Sequence, residues 1–442
     1  MELSVSENTD RTRYSMKEQD LEVFYGLPRE VKFCRQCNMS NQQPMSANEY
    51  SHSSASAKET MEFNSEGMCR ACTFNALKHD GSIDWESRER ELLDLCDQYR
   101  KTDGSYDCIV GGSGGKDSAM QSYLLKYKYN MNPLTVTWAP HLYTPIGWEN
   151  FQNWLHKGGF DNFLFTPNGK THRLLTREAT LNLLHPFQPF ILGQKTFVAK
   201  MAAQFNVPLI FYGEMPGEYG ERVSHNTSSF SNSSETVESS GFTLDYSEGR
   251  EQRDMLLGGI PVGEYIDRGV PLVDLVPYLP MPEDTLQKKG IEFKYLGYYK
   301  KWVPQEAYYF AAENTGFKAN PQRTEGTYSK YNSLDDKVDG FFYYTRWIKF
   351  GVGRAMMDSA QEIRNGHIDC AEGQALIAKF DGEYPALYEQ EFLAYVGLEK
   401  EEFLDLCDRY RSPHLWEIVD NQWRLRASPG PVAESRHLAI GA

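Results

Sequence analysis

The sequence predicts an α/β protein, a parallel sheet with helices on both faces, joined to a four-cysteine N-terminal region and a helical C-terminal region. Three observations predict it. From Tyr106 onward, short apolar runs alternate with longer helical patterns, as in a parallel sheet. The first run, Tyr106-Asp107-Cys108-Ile109-Val110, leads into Gly112-Ser113-Gly114-Gly115-Lys116-Asp117-Ser118 and a helical pattern over 118–129. Ahead of both stand two Cys-x-x-Cys pairs, Cys34/Cys37 and Cys69/Cys72.

The elements follow in order. Residues 1–30 show no periodicity and are expected to form an arm. Residues 31–101 hold the cysteines in loop-rich sequence, then a helix over 85–101 with Leu92, Leu93 and Cys96 on one face. In 102–275, strands are expected at 107–111, 133–138, 162–166 and 208–213. Helices over 148–157 and 173–206 lie between them, the second broken near Pro186 and Pro189. Residues 224–240 are rich in Ser, Asn, Thr and Glu and read as an exposed loop, either a lid or a tolerated insertion. The stretch 252–300 is mixed, with a short helix at 285–289. The region 276–442 reads as mostly helical and completes the active site; in its 334–368 helix Phe341, Phe342, Trp347 and Ile348 are core candidates.

A chain of 442 residues suits two or three domains, and 40% hydrophobic with 13% aromatic residues suits a packed core. No apolar run approaches the ~20 residues that span a bilayer. The polar start Met1-Glu2-Leu3-Ser4 is no secretory signal. A net charge of −15 argues against a broad nucleic-acid surface, and an anionic substrate would need a local basic pocket. Of eight cysteines, Cys96, Cys108, Cys370 and Cys407 read as buried small hydrophobes. That usage points to a reducing, cytoplasmic setting.

A strand, a glycine turn and a helix start make an anion site, because glycines let N–H groups approach phosphate and the helix terminus favours negative charge. Ser113, Lys116 and Ser118 add donors. Asp117 would repel a bare phosphate, which suggests a bound Mg²⁺. The turn is not a Walker A loop, since Val110 and Asp117 stand where Gly and Ser or Thr are needed. Nor is it a dinucleotide fingerprint, whose third Gly position is also Asp117. Cys34, Cys37, Cys69 and Cys72 have the spacing of two knuckles of a tetrahedral zinc site that would stabilise a polar region; an iron–sulfur cluster is the minor alternative.

Ser113-Gly114-Gly115-Lys116-Asp117-Ser118 matches the SGGxDS signature of the PP-loop ATP pyrophosphatases, which cleave ATP between the α and β phosphates. The wider set of motifs resembles the N-acetyl sugar amidotransferases of bacterial surface-polysaccharide and nonulosonic-acid pathways, over about Phe33 to Trp423. It comprises the cysteine pairs with Gly67-Met68, Ile83-Asp84-Trp85-Glu86-Ser87-Arg88-Glu89, the loop, and Asn132-Pro133-Leu134-Thr135-Val136-Thr137. It continues through Gly213-Glu214-Met215-Pro216-Gly217-Glu218-Tyr219-Gly220, Lys349-Phe350-Gly351-Val352-Gly353-Arg354 and Gln361-Glu362-Ile363-Arg364-Asn365-Gly366. The resemblance implies a PP-loop fold that binds ATP and Mg²⁺, and an acetamido oxygen adenylated by ATP, after which ammonia displaces AMP to leave an acetamidino sugar. The acceptor would be an N-acetylated sugar or sugar nucleotide. A separate class I glutaminase subunit is implied, since no cysteine here sits in a Gly-x-Cys-x-Gly elbow.

The resemblance also suggests roles for residues outside the loop. Lys349 and Arg354 match basic residues that contact the leaving phosphates, or they lie on a solvated helix face. Glu214 would bind Mg²⁺ or orient the nucleotide, or cap a turn. Thr137 ends the second strand, where adenine lies in this fold. Two rival readings stand beside this one. A tRNA-thiolating enzyme also joins Cys-x-x-Cys pairs to this loop, but the acidic charge opposes it. A non-catalytic nucleotide-binding subunit would not need the intact loop.

Overall fold

The computed structural model describes residues 4–46, 49–221 and 251–430. The serine-rich stretch 224–240 lies outside the described residues. Five parallel strands form the central sheet: β1 Cys108–Gly111, β2 Pro133–Trp138, β3 Asn162–Phe165, β4 Leu209–Tyr212 and β5 Glu292–Tyr295. Their order is β3-β2-β1-β4-β5, with Cys108 opposite Pro133 on one side and Leu209 on the other. The four expected strands lie within a residue of their expected ends. The fifth was hidden in the stretch read as mixed.

Alternation along the strands separates two cores. Ile109, Leu134, Val136 and Ile210 face one side and join Leu175 and Phe197. Those two residues come from α5 Gly169–Leu183 and α6 Gln188–Phe205. Cys108, Val110, Leu209 and Phe211 face the other side and join Leu92 and Cys96 of α2 Trp85–Tyr99. The break between α5 and α6 falls at Leu184, whose φ is +45°, and Pro189 sits in the first turn of α6, where its missing N–H costs nothing.

Four helices complete the frame of the site. They are α1 Arg70–His79, after the second cysteine pair; α3 Lys116–Tyr123, after the loop; α4 Pro145–His156, between β2 and β3; and α7 Pro304–Thr315. The stretch expected as one helix over 334–368 is two, α8 Asp339–Phe350 and α9 Arg354–Arg364. Gly351 (φ +65°) ends the first. At Gly353 a Cβ would lie 2.3 Å from Asp381 Oδ1, and that oxygen accepts the Ala355 N–H (2.7 Å) at the start of α9. Residues near the N-terminus, expected as an arm, pack on the C-terminal region. Tyr14 and Leu21 are buried, and the Tyr14 hydroxyl donates to Arg411 O (3.0 Å). Among the described residues no helix is long and apolar enough to cross a membrane.

Candidate active site

The strand order reverses direction at β1, so the loops leaving β1 and β4 diverge and open a crevice at the carboxyl edge of the sheet. The first of them is the glycine-rich turn. Gly112 N–H donates to Val136 O (3.0 Å), and Thr137 Oγ1 donates to Gly112 O (2.7 Å). A Cβ on Gly112 would lie 2.2 Å from Ser118 Cβ; Gly114 has φ +85°, and a Cβ there would lie 2.8 Å from Phe151 Cα. Only glycine fits either position. Ser118 Oγ donates back to Gly115 O (3.1 Å). The hydroxyls of Thr137 and Ser118, expected on the nucleotide, therefore brace the loop itself.

The charges of the site converge on Lys116. Its buried ammonium pairs with Asp117 Oδ2, while Asp117 Oδ1 is buried with no partner among the described residues. Burial alone would lower the Lys116 pKa, but Asp117, Glu214 and Asp358 hold it above the ordinary value. Glu214, just past β4, accepts a hydrogen bond from the Tyr219 hydroxyl (3.0 Å). Burial, then the Asp117 charge, push its carboxyl up to about 7, against the pull of Lys116. A partnerless buried carboxylate oxygen beside a second carboxylate is a fitting seat for a divalent cation. Asp117 and Glu214 are the residues that would hold it.

Two cavities meet at Lys116 and Asp117. One, of about 330 Å³, runs from Ser113, Gly114 and Gly115 to α4, α6 and the start of α8. The other, of about 210 Å³, adds Glu214, Tyr219 and Arg354. Arg354 is thus at the loop, but already compensated. Its guanidinium lies 3.2 Å from Asp358 and 3.7 Å from Asp339, and 3.9 Å from the Tyr343 ring centroid. Burial, opposed by Arg354, pushes Asp339 up to about 8.

Lys349, expected beside Arg354, faces elsewhere. Its ammonium donates to Leu183 O (2.8 Å), and it lines a third cavity that the loop does not reach. The reversal at Gly351 puts two residues five apart in sequence on different helices. Sequence reasoning missed Asp335, which accepts from Ser113, and Asp339, Tyr343 and Asp358. The available signal was three carboxylates, Asp335, Asp336 and Asp339, close ahead of Lys349 and Arg354.

The four expected cysteines come together. Their sulfurs all lie within 4.8 Å of one another, all buried, with Cys34–Cys72 at 3.8 Å and Cys37–Cys69 at 3.6 Å. A tetrahedron with metal–sulfur bonds of ~2.3 Å has edges of ~3.8 Å, so the four thiols fit a single ion. Arg364 Nη1 lies 3.7 Å from Cys37 Sγ and its Nη2 donates to Glu218 O (3.2 Å). Lys78 on α1 is buried against Glu218 (3.0 Å) and also donates to Trp302 O (2.9 Å). Met39, Met61 and Ala71 line the cavity of Lys116 and Glu214. The cysteine region, expected only to stabilise, is therefore also one wall of the site.

Residues 325–428 match the family described as LPS biosynthesis protein WbpG-like, C-terminal domain. An uncharacterized protein of Methanocaldococcus jannaschii is 33% identical over 79 residues, a match spanning 18% of this chain and 27% of that protein. The NH3-dependent NAD synthetase of Campylobacter jejuni aligns over 47% of this chain and 95% of its own, at 14% identity and TM-score 0.24. The U34-tRNA thiolase NcsA of Methanococcus maripaludis, solved with its 4Fe-4S cluster, aligns over 80% and 91%, at 12% identity and TM-score 0.30. Likenesses at these scores bear no weight on function. What these findings give is a match to a WbpG-like C-terminal domain over 325–428, behind a five-stranded parallel sheet whose first strand leads into Ser113-Gly114-Gly115-Lys116-Asp117-Ser118.

Proposed function

We propose that the protein is an ATP-dependent amidotransferase that converts the acetamido group of an N-acetylated sugar to an acetamidino group, releasing AMP and pyrophosphate. The observation that carries this reading is the cluster of Lys116, Asp117 and Glu214 at the sheet's switch point, closed over by Arg354 of the WbpG-like region. The loop N–H groups and Lys116 would bind the β and γ phosphates and stabilise them as they depart. The acetamido oxygen would attack the α phosphorus, forming the new P–O bond as the bond to pyrophosphate breaks. Ammonia would then add to the activated carbon, AMP would leave, and one proton would be lost to solvent or a nearby base. Mg²⁺ held by Asp117 and Glu214 would neutralise charge on the phosphates.

Zinc is the ion we assign to the four thiols, because their spacing suits one tetrahedral ion; in a four-iron cubane each thiolate ligates a different iron, which needs wider separation. Ammonia would come from a glutaminase partner. The isolated chain should therefore work with ammonium salts, faster as pH rises, and should not use glutamine. The test is AMP release from ATP, ammonium and a panel of acetamido sugars, with mass spectrometry for replacement of oxygen by NH. AMP release that requires tRNA and a sulfur donor, and no sugar, would replace this reading with thiolation.

A further inference from the structure

The third cavity, of about 260 Å³, has no part in the scheme so far. It lies between the cysteine region, α6 and α8, and Gln43, Tyr219 and Met357 line both it and the cavity of Lys116 and Glu214. Four cations line it: Lys58, Lys195, Arg346 and Lys349. Among the described residues two carboxylates line it with them, both engaged. Glu49 accepts from His52 Nδ1 (2.9 Å) and Gln188 Nε2 (3.1 Å), and Glu221 accepts the Ser46 N–H (2.7 Å).

Lys349 is 5% exposed, and among the described residues its ammonium donates to the Leu183 carbonyl. Arg346 Nε is buried with no partner among the described residues. Burial, then the neighbouring Lys58 charge, pull Lys349 down to about 7, and burial pulls Arg346 to about 10. On a chain of net charge −15, four cations gathered on one cavity, Lys349 buried and the other three partly so, suit an anion. Its shared wall at Tyr219 sets the direction. A ligand gripped here by a charged end would extend its other end towards Lys116 and Asp117.

We propose that this cavity is the anion subsite of the acceptor: Arg346 and Lys349, flanked by Lys58 and Lys195, hold a phosphate or carboxylate carried by the acetamido sugar. This rests on the amidotransferase reading above. It makes the acceptor an anionic sugar, and it makes Lys349 a specificity residue rather than a ligand of the leaving phosphates.

The test uses the full chain with ATP and ammonium and three acceptors: N-acetylglucosamine, N-acetylglucosamine 1-phosphate and N-acetylneuraminic acid. At least one anionic acceptor should exceed the neutral one in kcat/KM by about tenfold or more, and which one does so tells phosphate from carboxylate. Arg346→Met and Lys349→Met should raise the KM for that acceptor by about tenfold while the KM for ATP stays unchanged, and Lys349→Arg should restore part of the loss. Equal use of neutral and anionic sugars overturns the subsite while leaving the amidotransferase standing. A matching rise in KM for ATP overturns it too, by assigning the cations to the triphosphate. If either Met variant fails to fold, the wild-type preference decides alone. Failure of every sugar overturns both readings.

Discussion

Glu214→Gln should make the ligand-free protein more stable above neutral pH, although it removes a charged group from the site. The carboxyl of Glu214 is held near 7 instead of 4.5, first by burial and then by Asp117. The folded state therefore keeps a proton that the unfolded chain releases between those two values. With the folded pKa the higher, the favourable contribution is complete below about 4.5 and is lost as pH rises through about 7. At about 1.4 kcal/mol per pH unit, the full interval amounts to about 3 kcal/mol. Glu214 is half-buried, so water screens part of it, and about 1–3 kcal/mol is the working range. Glutamine keeps the shape and the Tyr219 contact, while Lys116 retains Asp117 as its counter-charge. Thermal melting of both proteins from pH 5 to 8, without ATP or divalent ions, checks the argument. The variant should melt a few degrees higher at pH 8, and the gap should close towards pH 5. Added Mg²⁺ should raise the wild-type melting point at pH 8 more than that of the variant. A variant that melts lower at pH 8, or a gap that does not change with pH, would refute the reasoning.

Asp117→Asn should keep the fold and cut AMP release by about 100-fold, on the scale of a lost electrostatic stabiliser; near-normal turnover would remove Asp117 from the mechanism. Lys78→Met should strand the buried Glu218 carboxylate at a cost of about 3–5 kcal/mol, read as a fall in denaturation midpoint, and Lys78→Met with Glu218→Leu should recover much of it. Elemental analysis should find about one zinc per chain, and Cys69→Ser should lower both that ratio and the melting temperature; metal-free protein of full stability would refute the site.

Much of the sheet and loop was legible because short-range rules govern them. Buried parallel strands read as continuous apolar runs, and Gly112 and Gly114 occupy positions that no other residue tolerates. β5 escaped because Glu292-Phe293-Lys294-Tyr295 is four residues of alternating charge and aromatic at the sheet's edge, with no apolar run to mark it. The fates of Lys349 and Arg354 were illegible for another reason. A helical pattern fixes the face of a residue only while the helix continues, and one glycine at 351 sends the two side chains into different cavities. The role of Met39, Met61 and Ala71 as a wall depends on tertiary docking through Lys78 and Arg364, which no local pattern encodes.

The two ends of the site are built on different scales. The proposed phosphate site is one unbroken turn between β1 and α3, braced by its own glycines and by Thr137 of the adjoining strand. The opposite wall is gathered from three distant stretches, around Met39 to Ala71, Glu214 to Glu221 and Asn332 to Arg364. On the proposed reading, a partial opening of the molecule that lets the cysteine region or α9 swing away would abolish acceptor recognition while the turn stayed formed. If that reading holds, mild stress should leave a protein that still binds nucleotide but has lost its choice of substrate, so ATP binding alone would be a poor gauge of intact activity.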